Sequence, residues 1–501
     1  MSRHFRAIAV VAALILCVVP ACADEVDDYV ERQLRQLHIP GLSLAVVRNG
    51  KVIKARGYGL ANTEKNVPST KDTVYEIGSI TKQFTATAVM MLVEEGKVSL
   101  DDKITEYFPM APETWSRITV RHLLTHTSGI QNHVAVPDFP NLSQTNLTRD
   151  QLIKLFYKLP LEFQPGETWA YDNTGYYLLG IIVEKASGKS FWQFLDERIF
   201  RPVGMTSTRN TDAQPIVTNR ASGYEWVNNK FERRPVLAPF IAFSAGAILS
   251  NVEDMAKWDT ALYTERLLKR SSLEQMWTPA KTNEGALASF NYGYGWFIDS
   301  YHGHRVVQHS GGTPGFSSAI YRFTEDRLTV IVLTNHADRI LDQLVIDIAG
   351  IYEAVLKRAD GKTDPDPQRS LRLKEVLTGL LNGKHDPALF SPAMHAFLGT
   401  ATGKAFWKWF ASHGALGSFT YSDREDAGNT QIFRYKLLLG ENAYWFSVAT
   451  GEGGRIARVS FWFAGNVSSV RHFCGLQKAR EIENIMRTEL GYFAVRYVGL
   501  R

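Results

Sequence analysis

The chain has 501 residues, 45% of them hydrophobic and 21% charged, an ordinary globular balance with ample material for a core and room for two or three domains. Its net charge of +5 is small for this length and no run of like charges occurs, so nucleic-acid binding has no support. Three cysteines in all exclude a disulfide-stapled scaffold and a thiolate–zinc cluster.

The first residues, MSRHFR, carry Arg3 and Arg6. AIAVVAALILCVVPACA then supplies an apolar run too short to span a bilayer comfortably, ending in Ala21-Cys22-Ala23 before Asp24. This reads as a cleaved secretory signal over residues 1–23, which makes the mature protein periplasmic or secreted. A lipid anchor on Cys22 is the rival reading, with Pro20 awkwardly placed for it, and membrane association is expected only if Cys22 is lipidated. Cys17 and Cys22 leave with the signal, so the mature chain keeps Cys474 and must rest on its core.

Residues 41–62, GLSLAVVRNGKVIKARGYGLAN, alternate apolar and polar around Arg48-Asn49-Gly50, a hairpin pattern. Gly41-Leu42-Ser43-Leu44-Ala45 nearly matches a nucleophile elbow, but an elbow serine needs a helix after it, so Ser43 is a plain strand residue. From Tyr75 to about Ala261 the pattern is mostly helical and loop-like. SLDDKITEYFP, ITVRHLLTHTSGI and TGYYLLGIIVEKASGKSFWQFLDERIF have helical spacing, with Gly129 and Gly188 as C-caps. Near Tyr292 the period changes, and HRVVQHSGGTPGFSSAIYRFTEDRLTVIVLTN reads as three strands of a meander before a helix in LDQLVIDIAGIYEAVL.

Strands at both ends of this region can share one antiparallel sheet with helices on its faces, beside a helical region, which makes the fold class α+β. The catalytic candidate region is therefore 24–357. Pro, Asp and Gly mark a linker over 358–371. A small α+β domain over 372–501 follows, with helical segments near Leu371–Leu381 and Ala393–His413, four strand-like runs, and a last helix in QKAREIENIMRTEL. It holds no constellation of acids, histidines or nucleophiles, so its expected role is accessory.

Three stretches carry chemistry. At the head of a helix with apolar residues Phe84, Val89, Met91 and Leu92 stands Ser79-Ile80-Thr81-Lys82, which places a serine and a lysine on one face, one turn apart. A lone S-x-x-K arises by chance about once in a chain of this kind. A desolvated lysine can accept the serine proton, and the helix N-terminus favours an oxyanion. The second stretch is Tyr171-Asp172-Asn173 before a helix, where Tyr171 can relay a proton and Asn173 can hold a substrate amide or steer Lys82. The third is VVQHSGGTPGF, where strand-edge glycines permit close approach and the Gly312 N–H can pair with that of Ser79 as an oxyanion hole. His302, Gly303 and His304 with His309 mimic a metal site, but no acidic pattern completes it, and structural or solvent-facing roles are expected for His302 and His304.

In this order the stretches resemble the S-x-x-K, Y-x-N and K-T-G motifs of the serine β-lactamase and penicillin-binding protein superfamily, in the branch with class C β-lactamases, DD-carboxypeptidases, D-aminopeptidases and related esterases. YEIGSITKQFTATAVMMLVEEGKVSLDD, ITVRHLLTHTSGI, QPGETWAYDNTGYYLLG, SAGAILSNVEDMAKW, YGYGW and HSGGTPGF all look like that family, in its order, over about Val26 to Leu356. The resemblance implies a β-lactamase/transpeptidase-like fold and a serine hydrolase. Ser79 would form an acyl-enzyme, Lys82 and Tyr171 would share the proton work, with the acylation base open between them, and Asn173 would orient substrate and lysine. The N–H groups of Ser79 and Gly312 would hold the oxyanion, with His309, Ser310 and Gly311 along the substrate.

No metal or organic cofactor is implied. The expected partner is a small molecule or short peptide, peptidoglycan-derived fragments included. His309 and Ser310 stand where the β-lactamases of the family carry lysine and threonine, and Gly246-Ala247 where a double glycine is often seen. Histidine is mostly neutral near pH 7, which weakens the case for efficient β-lactam hydrolysis. The branch's H-x-G members look more like esterases and peptidases, and this resemblance tilts the expected substrate toward a small ester, amide or D-amino-acid peptide. A true class C-like β-lactamase and a slowly acylating penicillin- or peptidoglycan-binding sensor or scaffold are the rival readings.

Overall fold

The hairpin at the start of the chain forms because Asn49 and Gly50 both adopt left-handed backbone, at φ 52° and 73°, as a tight two-residue turn requires. It joins strands β1 (Gly41–Arg48) and β2 (Lys51–Asn62). The computed structural model describes residues 24–135, 147–211, 216–234, 239–285, 291–337, 341–357, 363–427, 430–440 and 442–466. The expected signal segment, Cys474 and the expected helix in residues 477–490 lie outside them.

Before the hairpin, helix α1 (Glu25–Gln36) is capped by the Asp24 side chain, which accepts from Val26 N–H. Beyond it the edge strand β3 (Val67–Pro68) pairs with β2. The meander supplies β4 (Phe297–Tyr301), β5 (His304–Thr313), β6 (Phe316–Phe323) and β7 (Leu328–Thr334). All seven form one sheet in the order β3-β2-β1-β7-β6-β5-β4, and β1 pairs antiparallel with β7, Leu44 opposite Val332. The two ends of the region do share a sheet. Leu42, Leu44 and Val46 turn toward α1 and helix α5 (Asp342–Tyr352), whereas Ala45 and Val47 turn toward the helical layer. Strands β6 and β7 are buried along their whole length, as a sheet covered on both faces demands.

The helical layer holds α2 (Thr81–Glu94), α3 (Asn173–Ser187) and α4 (Val252–Ala261). In α2 every residue from Thr81 to Leu92 is buried, so Phe84, Val89, Met91 and Leu92 belong to a helix enclosed on all sides, not to one apolar face. The layer is less uniformly helical than its pattern suggests, because short strands at Tyr75–Glu76, Ile248–Ser250 and Arg209–Asn210 form a small sheet of their own. Gly188, at φ 70°, caps α3 as expected. Gly129 does not cap a helix: the helix in ITVRHLL ends at Leu124 with Thr125 as its cap. Gly129 instead lies in the following loop, where a Cβ would meet Phe163 O at 2.0 Å.

In the C-terminal region, helix α6 (Pro367–Leu381) begins inside the expected linker, with Asp366 as its cap and Pro367 in its first turn. The expected helix Ala393–His413 is two, α7 (Pro392–Gly399) and α8 (Ala401–Ala411), divided at Thr400, whose side chain caps the second. Four antiparallel strands follow in order: β8 (Leu416–Ala427), β9 (Thr430–Leu439), β10 (Asn442–Thr450) and β11 (Ile456–Asn466). Aromatic residues Phe410, Tyr444, Phe446 and Phe461 pack between helices and sheet. This unit sits against the catalytic candidate region. Arg458 pairs with Asp299 at 2.8 Å, Arg434 reaches Ser300 O at 3.2 Å, and Thr168, three residues before Tyr171, donates to Ala393 O at 2.8 Å.

Candidate active site

Ser79 lies in a single 3₁₀ turn, Gly78–Ile80, that runs directly into α2. Gly78 holds φ 51°, and a Cβ there would sit 2.6 Å from Gly312 N, so this position admits only glycine on both counts. On the other side of the contact, a Cβ on Gly311 would sit 2.1 Å from Ile77 O and 2.9 Å from Ser79 N. Strand β5 is thus pressed backbone to backbone on the serine turn, which brings the N–H groups of Ser79 and Gly312 into one neighbourhood.

Lys82, one turn after Ser79 and in the first turn of α2, is wholly buried. Its Nζ lies 3.1 Å from Ser79 Oγ, 2.7 Å from Asn173 Oδ1 and 2.8 Å from Ala245 O. The orientation of the Asn173 amide follows from its other end, which donates to Asn132 Oδ1 at 3.2 Å. Ala245 O is aimed at the lysine by a break in the segment Pro239–Gly246, where Phe243 takes φ 33°, ψ −127°. Burial drives the Lys82 ammonium well below the usual lysine range, opposed by the charge of Asp172.

Two of the three partners of Nζ are carbonyl oxygens, which only accept. A neutral amine has two N–H groups and one lone pair, so it satisfies both carbonyls and leaves the lone pair for the Ser79 hydroxyl.

Tyr171 places its ring centre 4.8 Å from Lys82 Nζ, and Tyr176 closes the lysine from another side at 5.5 Å. His309 is buried, its Nε2 3.0 Å from Tyr292 Oη and its Nδ1 2.6 Å from Ser310 O. Both ring nitrogens are engaged inside the protein, so His309 does not stand in for a lysine ammonium offered to substrate. Ser310 is the partly exposed residue in the buried run 306–313 of β5.

The structure therefore brings Ser79, Lys82, Tyr171, Asn173, His309, Ser310, Gly311 and Gly312 to one place. His302 and His304 are apart from it, at the far end of β5, with His304 Nδ1 2.9 Å from Asp326. Among the described residues no group of histidine, cysteine and carboxylate side chains is arranged to hold a metal ion.

Several members escape sequence reasoning. The Ala245 carbonyl has no side chain to advertise it. His126 and Asp172 lie inside quoted stretches without being singled out, yet the Asp172 N–H donates to His126 Nδ1 at 3.2 Å beneath the Tyr171 ring, whose centre is 4.3 Å from that of His126. Burial pushes the Asp172 carboxyl up to about 7, against a backbone hydrogen bond from Gly175 and the charge of Lys82. The His126 imidazole is pushed well down by burial, and further by Lys82.

Comparison with known proteins places this geometry. The family model described as Beta-lactamase matches residues 26–349. Penicillin-binding protein 4* of Bacillus subtilis (strain 168) is 32% identical over 311 residues, covering 57% of this chain and 68% of the relative. The D-amino acid amidase from Ochrobactrum anthropi SV3 superposes with a TM-score of 0.53 at 28% identity, over 62% of this chain and 90% of that one. The octameric penicillin-binding protein homologue from Pyrococcus abyssi has a TM-score of 0.58 at 24% identity, over 88% of this chain and 98% of that one, a likeness of fold that reaches past the family match into the C-terminal strands. No described helix is long and apolar enough to cross a membrane.

Proposed function

The chain belongs to the Beta-lactamase family, and we propose that it is a serine hydrolase working through an acyl-enzyme on a small ester, amide or D-amino-acid peptide. The observation that carries this reading is the three-way contact of Lys82 Nζ with Ser79 Oγ and two carbonyl oxygens. Lys82 as free amine takes the Ser79 proton while Oγ attacks the substrate carbonyl carbon. The resulting oxyanion is held by the N–H groups of Ser79 and Gly312. The proton passes to the leaving group through Lys82 and Tyr171, and water then releases the acyl group by the reverse path. General-base help of this kind supplies about 10²–10⁴ in rate, and each oxyanion donor about 10²–10³.

The buried, internally bonded His309 favours substrates without an obligatory carboxylate, and the D-amino acid amidase likeness points the same way. A second reading, slow acylation by penicillins without turnover, is favoured by the relative named as a penicillin-binding protein. A periplasmic or secreted location and an accessory role for the C-terminal unit belong to the same proposal. The test is steady-state hydrolysis of 4-nitrophenyl acetate, a D-phenylalanine amide and a cephalosporin by one preparation. Turnover of the ester or amide well ahead of the cephalosporin supports the proposal; a cephalosporin rate exceeding both replaces it with a β-lactamase.

A further inference from the structure

Beneath the Ser79–Lys82 pair lies a second titratable pair that the hydrolytic scheme leaves unused. Asp172 and His126 are both buried. His126 Nδ1 accepts the Asp172 backbone N–H at 3.2 Å, so this nitrogen carries a lone pair and the ring proton sits on Nε2, which has no hydrogen-bond partner among the described residues. Asp172 Oδ2 faces the same lone pair at 3.5 Å, and Oδ1 accepts from Gly175 N as the cap of α3.

A carboxylate in this place has, among the described residues, a single donor to its negative charge and a lone pair facing its second oxygen in a buried site. A carboxylic acid carries no unsolvated charge there, and its O–H faces the Nδ1 lone pair that the backbone N–H already shares. The next residue, Asn173, holds Lys82 Nζ at 2.7 Å. Lys82 and Asp172 act on each other's charge, each favouring the ionised form of the other.

The remaining titratable groups around them come from every neighbouring segment: His133 from the turn His133–Ala135, Tyr171 from the same loop, Tyr176 from α3, Tyr292 ahead of β4, and His309 from β5. Burial holds His133 neutral, at about 4, and keeps the Tyr176 proton in place well above the usual tyrosine range. Neither supplies a competing charge near pH 7.

We propose that Asp172 is a positioning residue for the reaction: its proton, held against His126, decides whether Lys82 stands as an amine able to take the Ser79 proton or as an ammonium that cannot. The inference rests on the reading of Ser79 as nucleophile and Lys82 as its base. Once the first of the two acidic protons has been lost, the pair holds a single proton, on either Lys82 or Asp172. On Lys82 it leaves an ammonium beside a carboxylate, and no lone pair faces Ser79; on Asp172 it leaves a neutral acid beside a free amine that is ready to take the Ser79 proton.

The experiment is the pH dependence of kcat/KM for 4-nitrophenyl acetate in the wild type, Asp172→Asn and Asp172→Ser. Asparagine and serine cap helices about as well as aspartate, so a capping role alone is preserved in both. The expected result is that the ascending limb moves to lower pH by about one unit or more in both variants, because neither can form the ammonium–carboxylate pair that retains the Lys82 proton in the wild type. An unmoved limb in both variants overturns the proposal. Acyl-adduct mass on wild-type Ser79 is read in the same samples: an adduct with an unmoved limb sinks the role of Asp172 alone, whereas no adduct on Ser79 sinks the reading on which it rests.

Discussion

Replacement of Gly311 by alanine probes the tightest contact in the site. The new Cβ would lie 2.1 Å from Ile77 O, 2.6 Å from Ser318 Oγ and 2.9 Å from Ser79 N. A comfortable contact is near 3.5 Å, so the strand and the serine turn must part by more than about 1 Å. Ser318 offers little slack, because its hydroxyl already donates to Ile77 O at 2.8 Å and its backbone is paired opposite Gly311. Parting the two backbones pulls the N–H of Gly312 away from that of Ser79.

Loss of one oxyanion donor costs about 10²–10³ in rate, and a displacement near 1 Å about 10² by itself. The expected fall in kcat/KM for 4-nitrophenyl acetate is therefore about 10²–10³, or about 3–4 kcal/mol of transition-state stabilisation. Circular dichroism and thermal melting serve as the check on folding. A folded Gly311→Ala enzyme with near wild-type kcat/KM would refute the placement of the oxyanion hole between β5 and the serine turn.

Lys82→Met keeps the bulk of the side chain without its nitrogen and is expected to slow acylation by about 10²–10⁴ while the protein still folds, measured as the rate of adduct formation. Arg322, sealed between the rings of Tyr263 and Trp277, donates to Asp259 at 2.7 Å, and both residues are buried. Asp259→Asn leaves that guanidinium unbalanced and is expected to cost about 3–5 kcal/mol in urea unfolding; a loss no larger than that of a surface substitution would contradict it. Asp27 on α1 takes hydrogen bonds from Arg56 at 2.5 Å and Tyr58 at 2.6 Å and an ion pair with Lys54 at 2.7 Å. Burial pushes its carboxyl up, but Lys54, Tyr58 and Arg56 together prevail and hold it below 3.8. A depressed folded-state value stabilises the fold above the unfolded value and loses that stabilisation as pH falls through the folded one. Asp27→Asn should therefore lower the melting temperature at pH 7, with a deficit that shrinks below about pH 4.

Much of this site is legible in the letters of the chain, for reasons that are local. Asn49-Gly50 reads as a turn because two left-handed residues in a row leave few alternatives, and Ser79 and Lys82 read as a pair because three residues is close to one helical turn. What is not legible depends on segments far apart in sequence. The Ala245 carbonyl reaches Lys82 only because Phe243 adopts a backbone conformation that its letter argues against. His126 and Asp172 lie 46 positions apart and meet only once α3 is packed. The enclosure of α2 on every side is invisible to a periodicity that registers one apolar face. At the C-terminal unit the same letters carry two meanings: Asp366-Pro367 punctuates a linker by composition, yet an aspartate followed by proline is also how a helix begins, and the structure takes the second meaning.

The most direct test of the account is the intact mass of the purified protein, wild type beside Ser79→Ala, after brief exposure to a penicillin and, separately, to an aryl ester under rapid acid quench. The expected result is an increment equal to the acyl group on the wild type with at least one of the two, mapped to the peptide containing Ser79, and none on Ser79→Ala. The same adduct on Ser79→Ala, or ester turnover undiminished by that substitution, would contradict it.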